Sequence, residues 1–379
     1  SSHLGSREPC LASRGAGCPT PGPMGSLTRA LPKRLQASLA LGRPVLRSCN
    51  GADLSKVHGP GLSGLFDASP PNADWEKFAL TDDQLRHFNE KGYVSGIRLL
   101  SDEQCDALAA EVDTLLGAAG EKDHPARPLW YAYHPLVASG AWRISFGFHD
   151  LMWLPAFRLA SYQLLGGSVR FLHDQIFNKP ARDRYAGASW FGFHQDFSYW
   201  SWTAPMAHLT CWVALDDVSA ANGCLQYVPG SHRWGLLPPV SADASPTLDA
   251  VNAVLTPEQR SAFGRTERVE VRKGFGSFHH PLMLHGSESN TTDRPRRAAV
   301  LNVVREGVTS NFGMHPATLG SFPFIPQGEP LGRSGHANDR MYPLLLGSPG
   351  GPGILAPEAA GPGAALLGAV PKLADYLSA

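Results

Sequence analysis

His194-Gln195-Asp196 and the distant His285 are the residues of this chain best suited to holding a metal. Two imidazoles and one carboxylate that leave coordination positions open form the donor set of a mononuclear non-haem Fe(II) centre that activates oxygen. His194 and Asp196 are two apart, so on a β-strand both side chains would leave the same face. The third ligand must then come from a distant strand folded back beside the first. Arg296 follows His285 closely and can take a carboxylate through two parallel hydrogen bonds. Together these groups call for iron and a 2-oxo acid cosubstrate. Each piece alone is ordinary: a His-x-Asp triplet arises by chance, and an Arg-Arg pair is usually a solvated charge. The triplet occurs only once here, although the chain has 15 histidines.

Other histidines compete for the same work. His279 and His280 are alternatives to His285 as third ligand, with His280 at a His-Pro turn reading as structural. His208 shares a strand face with Trp212 and reads as either a pocket or a core residue. His232, in Pro229-Gly230-Ser231-His232, reads as a loop-fixing residue. Among the aromatics flanking His194 and Asp196, Tyr199 and Trp202 are the best candidates to face a substrate. Asn302 shares parity with Arg296 and is the best polar pocket candidate on its strand.

Positioning these groups takes a large scaffold, and the chain can supply one. It has 379 residues, 43% hydrophobic, with 33 basic and 33 acidic side chains. That is enough for one large domain with extensions, or two domains. A formal charge of zero gives no general argument for nucleic acid or an anionic membrane. No apolar run reaches the roughly eighteen residues of a membrane-spanning helix. Cys10, Cys18, Cys49, Cys105, Cys211 and Cys224 show no paired spacing, which suits the reduced thiols of an intracellular protein.

Residues 1–50 read as a disordered or targeting-like tail. From Met24, arginines and lysines occur without an acid, and Leu27, Leu31, Leu35 and Leu39 recur at four-residue spacing. That pattern resembles a transit peptide, which would place the protein in a mitochondrion or plastid; without one it is cytoplasmic. Folded structure is expected over residues 75–345, followed at 346–379 by a Gly/Pro-rich extension with a short helix from Ala364.

The local signals alternate in kind. Thr81-Asp82-Asp83-Gln84 and Ser101-Asp102-Glu103-Gln104 are capping boxes, so helices start after Thr81 and Ser101. A strand is expected over Gly92–Ile97 between them, and a helix over Ala156–Leu165. From Val169 the period becomes two. Strands are predicted over Val169–Lys179, Trp190–Asp196, His208–Val218, Cys224–Val228, Arg268–Arg272, Gly276–His280 and Ala298–Arg305. Asn222-Gly223 signals a hairpin. The pattern is mainly β with flanking α-helices, closed as a jelly roll.

Several words of the chain then match a known family. Phe88-Asn89-Glu90-Lys91-Gly92-Tyr93-Val94, Asp174 to Pro180, His194 to Trp200, Asn222-Gly223-Cys224-Leu225, Pro229 to His232, His280 to Ser287, Asn290 and Arg296-Arg297 together resemble the phytanoyl-CoA dioxygenase family of Fe(II)/2-oxoglutarate-dependent oxygenases. The resemblance covers residues 80–305 and implies a double-stranded β-helix of the cupin type. It implies that His194, Asp196 and His285 bind Fe(II), and that Arg296 holds the distal carboxylate of 2-oxoglutarate. Ser287, Trp212 and Gln175 are further cosubstrate contacts by the same resemblance.

The activity implied is hydroxylation of a C–H bond in a small, partly hydrophobic metabolite, using O2 and releasing succinate and CO2. No nucleic-acid or membrane partner is expected. Asp196 matters here because related halogenases carry a small residue at this place. No basic cluster suits the phosphates of coenzyme A, so an acyl-CoA substrate is not carried over. Two other classes remain open: another metal-dependent enzyme on a cupin-type barrel, and an inactive barrel used for binding.

Overall fold

The structure, a computed structural model, describes residues 53–66, 75–118, 131–134, 136–182, 189–238, 248–311, 325, 327–332 and 340–347. The N-terminal tail, with its transit-like segment, lies outside the described residues. So does all of the C-terminal extension beyond residue 347, including the helix expected from Ala364.

Helix α1 (Asp82–Lys91) starts at the expected capping box. Thr81 and Gln84 exchange side-chain to backbone hydrogen bonds, and Gly92 ends the helix at φ 86°. A side chain at Gly92 would also run into His232 and Met283. Strand β1 (Tyr93–Arg98) follows at once, then α2 (Asp102–Ala118), started by the Ser101–Gln104 pair. Next come β2 (Tyr131–His134), β3 (Val137–Ser139), α3 (Phe146–Leu151) and α4 (Pro155–Leu165). Ordered packing begins ahead of Trp75. Asp53 pairs with Arg143, and the backbone amides of Leu62 and Ser63 donate to Asp150 on α3.

The remaining chain is the β-structure: β4 (Val169–Lys179), β5 (Phe191–His194), the short α5 (Phe197–Trp200), β6 (Thr203–Ala204), β7 (His208–Ala214) and β8 (Leu225–Tyr227). Then come α6 (Leu248–Val254), α7 (Pro257–Phe263), β9 (Glu267–Val269), β10 (Phe275–His279), β11 (His285–Ser287) and β12 (Arg296–Arg305). The strands pair antiparallel, β6 with residues 309–310 and most of the others in two larger sheets. The larger runs β1-β10-β7-β12-β4-β3-β2 and the smaller β5-β11-β8-β9. This is the jelly roll expected from the period-two pattern, and the double-stranded β-helix that the family resemblance implies.

The alternation on each strand assigns its two faces. On β12, Ala299, Leu301 and Val303 point outward, into a core that includes Leu108, Val112 and Phe157 of the helices. Ala298 and Val300 point inward, with Trp212, Tyr227 and Met283 between the sheets. β7 divides the same way: Leu209, Cys211 and Val213 join the helical core, and Trp212 and Ala214 the inner one. The central strands of the large sheet are thus buried on both faces.

Two expectations change. Asn222-Gly223 does not close a hairpin. Residues 220–222 form a 3-10 turn ending at Gly223 (φ 82°), and the strands on either side lie in different sheets. The turn chemistry was read correctly, but a local signal cannot say which sheet the next strand joins. The expected strand Trp190–Asp196 ends at His194, and Asp196 adopts helical angles (φ −58°, ψ −35°). No helix among the described residues is long and apolar enough to cross a membrane.

One buried acid gives the helical layer a pH dependence. Glu111 on α2 is 7% exposed and accepts hydrogen bonds from the Ser145 hydroxyl and the Gly147 and Phe148 amides. Burial outweighs these bonds and pushes its carboxyl up to about 7. The folded protein therefore holds this proton more tightly than the unfolded chain does. The stabilisation is full below the unfolded value of 4.5 and is lost as pH rises through about 7. Glu111→Gln cannot ionise. The stability of the wild type relative to E111Q should fall by up to about 3 kcal/mol between about pH 5 and 8. Parallel pH profiles of thermal unfolding would refute this.

Candidate metal centre

His194 and His285 meet because β5 and β11 are antiparallel neighbours in which these two residues are direct partners. Their rings lie 4.3 Å apart, centroid to centroid. Each ring is oriented by its own backbone. His194 Nδ1 donates to Gly192 O at 2.8 Å, and His285 Nδ1 to Met283 O at 2.9 Å. Both Nε2 atoms are left facing the pocket, the arrangement in which a neutral imidazole binds a metal. Asp196 Oδ1 is 3.4 Å from the Nε2 of His194 and 3.7 Å from that of His285. One donor atom from each residue lies within 4.8 Å of the others, and no other such group is found among the described residues.

The electrostatics suit a cation. Burial opposes ionisation of Asp196, but the imidazoles of His285, His194 and His279 hold its carboxyl well below the usual range. Burial, and next the charge of His194, push His285 down to about 3, so this ring is neutral. Burial also opposes a charged His194, yet the hydrogen bond and charge of Asp196 raise it.

The pocket above these atoms is lined by Gln175, Trp212, Ser287 and Arg296 as well as by the aromatic rings of Phe177 and Phe191. Arg296 is 1% exposed. One of its nitrogens donates to Gly223 O at 2.8 Å, and the guanidinium lies over Trp212, 5.4 Å from the ring centre. Its Nε and Nη1 are buried with no hydrogen-bond partner. A buried guanidinium in that state is costly unless an anion completes it. The distal carboxylate of a 2-oxo acid would supply the missing negative charge and a hydrogen-bond acceptor. Arg297 points to the opposite face, where Asp216 and Asp113 pair with it.

Gln175, Trp212 and Ser287, the further cosubstrate contacts implied by the family resemblance, all line this pocket. Tyr199 is 51% exposed and packs edge-on against His194, ring centres 5.9 Å apart, without lining the pocket itself. Asn302 is buried and its amide donates to Gln175; its Oδ1, at 3.0 Å, is the longer of two acceptors near the single Thr210 hydroxyl hydrogen, Asp196 Oδ2 at 2.7 Å being the nearer. Trp202 is a correction. It is 3% exposed and packs with Leu172, Trp200 and Val304, away from the pocket lining, because the chain turns through α5 before reaching it. His280 accepts from Leu282 N and packs against His232, also outside the site. His208 is a core residue bonded to Thr203.

Three residues near the site were not singled out for these roles. Thr210 and His279 both donate to Asp196 Oδ2, at 2.7 and 3.0 Å. Thr210 was recoverable from parity, since it lies between His208 and Trp212 on one strand face. Lys179, fully buried, sits opposite Arg296 on the neighbouring strand and donates to the carbonyl oxygens of Glu288 and Ser287. Burial, and then the charge of Arg296, depress its ammonium to about 6.

Gly286 keeps the two histidines close. A Cβ there would stand 3.0 Å from Phe191 O and 3.1 Å from the Phe193 ring, so β5 and β11 would have to separate. Gly286→Ala should cost about 1–2 kcal/mol of stability. It should also weaken metal uptake, read by Co(II) titration. Unchanged uptake would mean that this strand contact does not set the ligand spacing.

Comparison with known proteins agrees with the geometry. The family model described as Phytanoyl-CoA dioxygenase (PhyH) matches residues 88–298. Human peroxisomal phytanoyl-CoA dioxygenase is 30% identical over 134 residues, covering 35% of this chain and 38% of the relative. The chain thus spans well under half of the curated relatives it matches first. L-proline trans-4-hydroxylase of Streptomyces griseoviridis is 31% identical over 201 residues, 47% of this chain and 72% of that enzyme. The fold is shared with EctD from S. alaskensis, solved with 2-oxoglutarate and 5-hydroxyectoine (TM-score 0.52, 18% identity, 76% of this chain and 93% of that one). The chain belongs to the phytanoyl-CoA dioxygenase family of Fe(II)- and 2-oxoglutarate-dependent oxygenases.

Proposed function

We propose that this protein is an Fe(II)- and 2-oxoglutarate-dependent dioxygenase that hydroxylates a C–H bond of a small, partly hydrophobic metabolite. One observation carries the reading: three convergent ligand atoms and an arginine with two unpaired buried nitrogens line the same pocket. His194, Asp196 and His285 hold the metal. Arg296 takes the distal carboxylate of 2-oxoglutarate, with Ser287, Trp212 and Gln175 as further contacts. Bound there, iron and 2-oxoglutarate supply the oxidising chemistry, consuming O2 and releasing succinate and CO2.

The chain's own residues bind, orient and exclude water. The backbone carbonyls of Gly192 and Met283 lock both imidazoles in one tautomer. The Trp212 ring fixes the plane of the guanidinium and keeps solvent from it. Phe177 and Phe191 give the pocket an apolar wall, and Tyr199 packs against His194. Its relative, the L-proline hydroxylase, is named for hydroxylating a small metabolite. A carboxylate at Asp196 occupies the position that halogenases leave open, which favours hydroxylation.

Under labelled dioxygen, one labelled oxygen atom should appear in succinate. Unlabelled succinate, or none, would remove the protein from this class. Alanine at His194, Asp196 or His285 should abolish uptake of one Fe(II) per chain with little change in thermal unfolding, whereas His280→Ala keeps the metal. Arg296→Lys should raise the 2-oxoglutarate requirement by about tenfold or more, since a bidentate guanidinium contact is not reproduced by an ammonium. Arg297→Lys should leave that requirement unchanged. Equal effects at the two arginines would contradict the assignment of the cosubstrate to Arg296.

A further inference from the structure

We propose that His279 and Thr210 are positioning residues. They hold the Oδ2 atom of Asp196 so that only Oδ1 is presented to the metal; this rests on the iron and 2-oxoglutarate reading of the site. The two oxygens of this carboxylate have separate surroundings. Oδ1 faces the Nε2 atoms of His194 and His285, at 3.4 and 3.7 Å. Oδ2 accepts the Thr210 hydroxyl at 2.7 Å and His279 Nε2 at 3.0 Å.

The tautomer of His279 is set by Asp196, whose ionised Oδ2 can only accept, so Nε2 carries the hydrogen. Tyr227 stacks on Tyr93, and its hydroxyl lies 3.0 Å from His279 Nδ1 and 2.9 Å from Ser277 Oγ. In the neutral ring Nδ1 then accepts from Tyr227, and Tyr227 accepts from Ser277. All of these groups are buried. His279 is therefore not a spare ligand. Its ring lies 4.5 Å from that of His285, yet its Nε2 is spent on the carboxylate oxygen that turns away from the other ligand atoms.

The reason for such a clamp is coordination number. His194, Asp196 and His285 would each give an ion one atom and leave positions that a 2-oxo acid and dioxygen would need. A carboxylate that turned both oxygens to the metal would take one of these and compete with the cosubstrate. Two hydrogen bonds on Oδ2 prevent the turn. Removing groups that orient a metal ligand characteristically costs about 10–100-fold in affinity or activity.

The test uses the full chain loaded with Co(II), titrated anaerobically with 2-oxoglutarate. Thr210→Val is isosteric and lacks the donor; His279→Leu lacks the other. Both should still bind one Co(II) per chain, show a changed visible Co(II) spectrum, and bind 2-oxoglutarate about tenfold more weakly or worse. Thr210→Ser and His279→Gln retain a donor and should recover affinity to within about threefold. If His279→Leu fails to fold, Thr210→Val carries the test alone. A wild-type spectrum and wild-type 2-oxoglutarate affinity in Thr210→Val would overturn the clamp while leaving the function intact. If the wild-type protein takes up no Co(II), or binds no 2-oxoglutarate once loaded, the proposed function falls and the clamp with it.

Discussion

The pairing of His194 with His285 across β5 and β11 is the constraint on which the rest depends. Strand register has a period of two, so a slip by one residue would turn one imidazole to the other face of the sheet. Everything around the pair acts to hold that register. Gly286 admits the close approach of the two strands, and β8 pairs with β11 from the other side, Tyr227 standing opposite His285. Tyr227 then reaches His279. The small sheet is short in every strand, so its register is maintained largely by the core between the sheets.

Much of this was legible in the residues, though not always for the reason first apparent. The strands were visible because alternation survives wherever one face meets the helices and the other the inner core. The two-residue spacing of His194 and Asp196 pointed to a shared site, but strand parity is not what joins them. The strand ends at His194, and Asp196 reaches the same point from the start of α5. Parity did separate Arg296 from Arg297, because both lie on a continuous strand. It failed at Trp202, beyond the turn. The partners of Asp196 were hidden for a different reason. Thr210 and His279 come from β7 and β10, adjacent strands of the large sheet that are far apart in the chain. Only the folded topology brings Thr210, His279 and Asp196 together.

Charge in the pocket is arranged asymmetrically. The metal end carries one carboxylate held ionised by three imidazoles. The far end carries Arg296 and, behind it, Lys179, and among the described residues no acidic side chain is hydrogen-bonded to either. Lys179 is satisfied by backbone carbonyls and the face of Phe191 and is driven toward its neutral form. Arg296 cannot shed its proton in the same way near neutral pH, for its guanidinium is depressed only to about 10. The cavity is therefore electrically complete only when a cation sits at one end and an anion at the other.

That separation gives the barrel a measuring role. His194 and His285 belong to the small sheet and Arg296 to the large one. The span between the two anchors is thus governed by the stacking distance of the sheets, roughly 10 Å in packed β-structure, rather than by any loop. A dicarboxylate tethered at both ends is gauged by its length. On the proposed reading, a dicarboxylate of the wrong length could not meet both anchors at once.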